Sequence, residues 1–99
     1  MTDPRQARLA DVLVNFSCKV RPGERVWIDL RGVDSAMGET LAQKVFEAGG
    51  LPNVKVIDNR IQRVLQRGYT EEQLLLLAKK AAADMEQSHA YIRLRGREN

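Results

Sequence analysis

The 99-residue sequence predicts an open α/β layer, and three observations carry that reading. Segments with helical periodicity alternate with short apolar segments in the order helix, strand, helix, strand, helix, strand, as in a parallel sheet with right-handed crossovers. Val26, Trp27, Ile28 and Leu30 make a nearly continuous apolar run between Arg25 and Arg31, which suits a strand covered on both faces. Turn and cap residues fall between these segments and not inside them.

Asp3 followed by Pro4 reads as an N-cap and first-turn proline, because a carboxylate can accept a free amide and proline loses no helical bond there. Leu9, Val12, Leu13 and Phe16 then recur at helical spacing and predict one inward stripe on a helix ending near Cys18. Arg21-Pro22-Gly23-Glu24 has the chemistry of a tight turn, and strand one is read from Arg25 to Arg31. Asp34 or Ser35 caps a second helix with an inward stripe of Met37, Leu41, Val45 and Ala48, closed by Gly49-Gly50.

Strand two is read from Asn53 to Asp58, followed by a short amphipathic turn or helix from Asn59 to Arg67 built on Ile61, Val64 and Leu65. Thr70-Glu71-Glu72-Gln73 matches a capping box, so a helix is predicted ahead of and through Leu74 to Met85. His89 to Arg95 reads as strand three. Together these give an open, mainly parallel, three-stranded Rossmann-like layer with flanking helices. Three strands are fewer than the five or six common in sheets, so the expectation is a partial sheet from a longer chain.

Composition bounds the chemistry. One His and one Cys cannot supply the nitrogen and sulfur ligands of a typical zinc site. A net charge of +3 and a pI near 9.4 permit nucleic acid as a partner without arguing for it, and none is expected. The longest apolar run, Leu74 to Ala78, is far short of the roughly 20 residues of a membrane span. The single thiol and a start without a secretory pattern make a cytoplasmic location the expectation.

Open parallel sheets bind ligands beyond the carboxyl ends of their strands, which directs attention to Arg31–Ser35, Asp58–Arg60 and Arg95–Asn99. Gly32 to Thr40 has the outline of a phosphate loop. Its glycines, however, are one residue too far apart, and Glu39 stands where lysine would meet phosphate. Arg60, Arg63 and Arg67, and Arg93, Arg95 and Arg97, are spaced so that they could grip phosphates. Solvated helix and edge-strand positions are the preferred account of them, with Arg95 the one to watch for a role in the parent site or interface. His89 is expected to be structural or superficial, Cys18 a small buried hydrophobe and Trp27 a core aromatic. Asp29, Asp34 and Asp58 are the one plausible carboxylate cluster, and caps or turns explain them as well.

The chain from Leu9 to Ile28, with its helix followed by Val20-Arg-Pro-Gly-Glu-Arg-Val-Trp-Ile28, resembles the opening of the aminopeptidase T and aminopeptidase S family of metallopeptidases. Further matches follow in order: Leu41 to Gly50 as a helix running into an Ala-Gly-Ala-like turn, Val54 to Asp58, and Ala90 to Asn99. Gly50 in place of the second alanine, and the segment Asp29 to Val33, depart from the pattern. The resemblance implies that residues 1–99 form a single N-terminal α/β domain of a longer, two-domain enzyme that removes N-terminal amino acids from peptides. It also implies two divalent metals, of the zinc, cobalt or magnesium type, held in a later domain, and a homodimeric parent.

None of the family's ligands has a matching position in this segment, so no catalytic or metal-binding residue is assigned, and no ligand-binding residue follows from the resemblance. The segment alone is expected to be inactive, its partner being the catalytic domain of its own chain. The rival expectation is a free-standing α/β module for a small ligand or for protein interaction.

Overall fold

A computed structural model describes residues 3–96. The fold is the α/β layer the sequence predicts. Strand β1 (Arg25–Arg31) lies between β2 (Leu51–Ile57) and β3 (Ala90–Arg95), and both neighbours run parallel to it. Four helices flank the sheet: α1 (Pro4–Asp11), α2 (Ser35–Glu47), α3 (Asn59–Gly68) and α4 (Glu71–Glu86). A π-helical stretch, Val12–Ser17, continues α1.

The caps form as their side chains dictate. Asp3, Asp34 and Asp58 accept hydrogen bonds from Arg5 N, Ala36 N and Arg60 N, and Thr70 and Gln73 close a reciprocal capping box ahead of α4. Helix α2 ends in a Schellman motif: Gly49, at φ +84°, donates to Phe46 O while Gly50 donates to Val45 O.

The core lies on one face of the sheet. Val26, Ile28 and Leu30 of β1 and Ile92 of β3 pack with Met37, Leu41 and Val45 of α2 and with Ala10 and Val14. The stripe expected of the first helix is displaced. Ala10 and Val14 are fully buried, whereas Leu9, Val12 and Phe16 are exposed and Leu13 is partly buried. The inward face runs through Ala10, Leu13, Val14 and Cys18, a stripe of ordinary helical spacing set one residue on from the expected one, and the small Ala10 allows close approach.

Two strand limits also move. β2 starts at Leu51, ahead of the expected Asn53, because Leu51 N donates to Glu24 O and the register pairs Arg25 with Leu51. An edge strand accommodates Pro52. Asp58 caps α3 and is not part of the strand.

The path from β1 to β2 crosses the sheet in one direction and the path from β2 to β3 in the other, so right-handed crossovers put α2 on one face and α3 with α4 on the opposite one. That second face buries Trp27 and Asp29 of β1. Helices α3 and α4 themselves hold no buried residue. Ile61 and Val64, expected to face inward, are 56% and 68% exposed, and Leu74 to Leu77 are exposed as well. Four consecutive leucines point around the whole helix, so no placement of α4 against one sheet face could cover them all.

Candidate functional site

The carboxyl ends of the three strands are drawn together by backbone hydrogen bonds. Gly32 N donates to Ile57 O and Gly96 N to Arg31 O, both at 2.8 Å. The approach is close enough that a Cβ on Gly96 would lie 1.9 Å from Gly32 O. With the order β2-β1-β3 the topological switch point, where open α/β sheets bind ligands, lies at the carboxyl ends of β1 and β3, beside the exits of β1 toward α2 and of β2 toward α3.

Two clefts open there, with Asn59 common to both. The larger, about 380 Å³, lies between Gly32–Asp34 and the start of α3, where Asp58, Arg60 and Arg63 face it. Two carboxylates oppose two guanidiniums on its wall, and each carboxylate already accepts a backbone amide at a helix start. The smaller, about 220 Å³, is lined by Arg31, Arg95, Asn59, Gln62, Gln66 and Gly96. Among the described residues its lining carries two positive charges, three carboxamides and no carboxylate.

Asp29 organises the neighbourhood of the smaller cleft. Its fully buried carboxylate puts Oδ2 3.3 Å from Arg31 Nε and 3.5 Å from Arg93 Nε. Its Oδ1 has no hydrogen-bond partner among the described residues. Arg93 also stacks over Trp27, 5.8 Å from the ring centroid. The register sets Lys55 and Arg93 on either side of Asp29, so one carboxylate sits in a row otherwise cationic.

The three segments expected to carry a site thus do converge, and Arg31, Asp58, Asn59, Arg60 and Arg95 meet around the two clefts. Arg97 and the remainder of Arg95–Asn99 beyond Gly96 lie outside the described residues. Arg67 lines neither cleft. The expected carboxylate cluster does not assemble: Asp34 and Asp58 are caps beside the larger cleft, while Asp29 lies within β1 and is neither cap nor turn. Trp27 is buried but faces away from the main core. His89 serves the backbone, its Nδ1 accepting from Arg25 N at 3.0 Å while its own amide donates to Arg25 O.

Gln62 and Gln66 are not marked by the sequence reading, although their spacing from Asn59 places three carboxamides on one face of α3. Asp29 also signals itself, since a carboxylate inside an apolar strand demands a partner.

Cys18 packs partly against the core, and this burial pushes its thiol pKa up. At mildly alkaline pH the folded chain therefore holds less thiolate than the unfolded one. Iodoacetamide is expected to alkylate Cys18 several-fold more slowly in buffer than in urea, read by mass spectrometry. Equal rates would show an open, unperturbed thiol.

Among the described residues no three His, Cys, Asp or Glu side chains group together. No helix among these residues is long and apolar enough to cross a membrane. Comparison of the chain with protein-family models and with curated proteins finds no match.

Proposed function

We propose that the chain is the N-terminal α/β domain of a cytoplasmic metal-dependent aminopeptidase, an accessory domain that packs against the catalytic domain of its own chain within a homodimer. The sequence resemblance from Leu9 onward names the enzyme class, and the uncovered apolar surface is the observation that carries the accessory role. The surface of 7382 Å² exceeds the roughly 5,700 Å² expected of a compact monomer of this mass. The radius of gyration, 14.4 Å, exceeds the about 12.6 Å of a compact chain of this length. Ile61, Val64 and Leu74 to Leu77 are part of this excess, and a second domain packed on them would cover them.

In this reading the present residues position and cover, and the metals of the other domain would supply water activation and oxyanion stabilisation. The reading frame beyond codon 99 is expected to continue into a segment with spaced Glu, His and Asp. Its full product is expected to release N-terminal residues from peptides only with a divalent ion present. The 99-residue chain, repurified, is expected to release none above a metal blank. Turnover that follows the short chain through purification, or a longer product inert with zinc, cobalt and magnesium, would overturn the reading. The alternative, a free-standing module for a small ligand, is favoured by the two clefts at the switch point.

A further inference from the structure

We propose that the smaller cleft, between Arg31 and Arg95 of the sheet and the carboxamide face of α3, is a binding site for a compact dianionic oxyanion, the phosphate group of inorganic phosphate or of a small phosphomonoester. The site stands apart from any peptidase chemistry and does not depend on it.

Four features combine. First, the lining among the described residues is of one sign: two guanidiniums and the carboxamides of Asn59, Gln62 and Gln66, with no carboxylate. Guanidinium and carboxamide N–H groups donate to phosphate oxygens, and paired guanidiniums match a charge near −2. In the larger cleft, by contrast, Asp34 and Asp58 would repel the same ligand.

Second, Arg31 is held in place. Asp29 takes its Nε, which leaves the terminal nitrogens to face a ligand, and β1 to β3 pairing sets Arg31 beside Arg95. Third, the local field is positive even after Asp29 is counted, because Arg93 and Lys55 flank it in register. An anion entering the cleft meets cations that the protein's own carboxylate neutralises only in part. Fourth, the volume of about 220 Å³ holds a phosphate with its waters. It is smaller than the roughly 300–1,000 Å³ of sites that enclose larger organic ligands, which disfavours a whole nucleotide.

The test is binding to the 99-residue chain at constant ionic strength, by titration calorimetry and by NMR of the arginine Nε–H groups. Inorganic phosphate and glycerol phosphate are the probes, with acetate and chloride as controls. Phosphate is expected to shift the Arg31 and Arg95 signals saturably and to raise the melting temperature with the logarithm of its concentration, with acetate at least tenfold weaker. Stronger binding of glycerol phosphate would identify a phosphomonoester as the ligand, and stronger binding of phosphate the free ion; either supports the site.

Arg95→Gln is expected to weaken binding at least tenfold, and Arg60→Gln, in the other cleft, to leave it unchanged. Asp29→Asn keeps an acceptor for Arg31 Nε while removing the negative charge beside the cleft, and is expected to tighten binding several-fold, a gain that a purely structural role would not produce. If that variant does not fold, Gln62→Leu takes its place, with an expected several-fold loss. Shifts reproduced by chloride, a response of Arg60→Gln equal to that of Arg95→Gln, or binding intact in Arg95→Gln would each overturn the assignment.

Discussion

Replacing Ile28 by alanine is expected to leave the chain largely unfolded at 37 °C. Ile28 is fully buried at the centre of β1, and the register sets Val54 and Ile92 on either side of it on the same face. Both edge strands therefore pack on this one side chain, and α2 covers the face it points to. Truncating a buried isoleucine to alanine costs about 2–5 kcal/mol, because lost transfer energy adds to the cavity left behind. A domain of this length holds in total only about 5–15 kcal/mol, and the many exposed apolar residues on α3 and α4 place this one toward the lower end.

The melting temperature should fall by roughly 15 °C or more, at about 4–8 °C for each kcal/mol in a domain of this size. Val54→Ala, on the same face but 38% exposed, is the control and should cost under about 1 kcal/mol. Thermal unfolding followed by circular dichroism decides the matter. A loss for Ile28→Ala no greater than that for Val54→Ala would mean that the core does not centre on β1.

Fold class and element order were legible because each depends on local chemistry: caps at Asp3, Asp34 and Thr70, the turn at Pro22-Gly23, and apolar periodicity in α2. What failed depends on partners. The stripe of Leu9, Val12 and Phe16 is a sound helical pattern, yet the helix turns Ala10 and Val14 to the sheet instead, and no single-residue preference chooses between two faces one residue apart. In α3 the periodicity correctly gave a helix but not its burial, because Ile61 and Val64 lie on a face that no described element covers.

The candidate site was legible by location and not by composition. Strand ends were the right places to look, since their position follows from topology. The pairing of Asp29 with both Arg31 and Arg93 depends on the register between β1 and β3, which periodicity does not set. Gln62 and Gln66 gain meaning only once α3 is laid across those strand ends.

Gly50→Ala, which would restore the residue expected from the family resemblance, is expected to destabilise this chain. Gly50 is buried at the junction of α2 and β2, and its N–H completes the helix cap on Val45 O. A Cβ there would lie 2.9 Å from Val20 Cγ1, 3.0 Å from Val45 Cγ1 and 3.1 Å from Glu24 O. Val45 is fully buried and the Glu24 carbonyl is fixed by its bond from Leu51 N, so neither can yield without moving core or sheet.

Overpacking of this kind costs about 1–3 kcal/mol, partly offset by the roughly 0.4–1 kcal/mol that alanine gains by restricting the unfolded chain. A net loss of about 1–2 kcal/mol should lower the melting temperature by roughly 5–15 °C. The same substitution at Gly68 meets no atom within 4 Å at the end of α3 and should raise stability, by about 0.4–1 kcal/mol. The two alanines thus separate steric crowding from backbone entropy. A gain at Gly50 matching that at Gly68 would show that the α2 to β2 corner has room to relax and that Gly50 is not held by steric crowding.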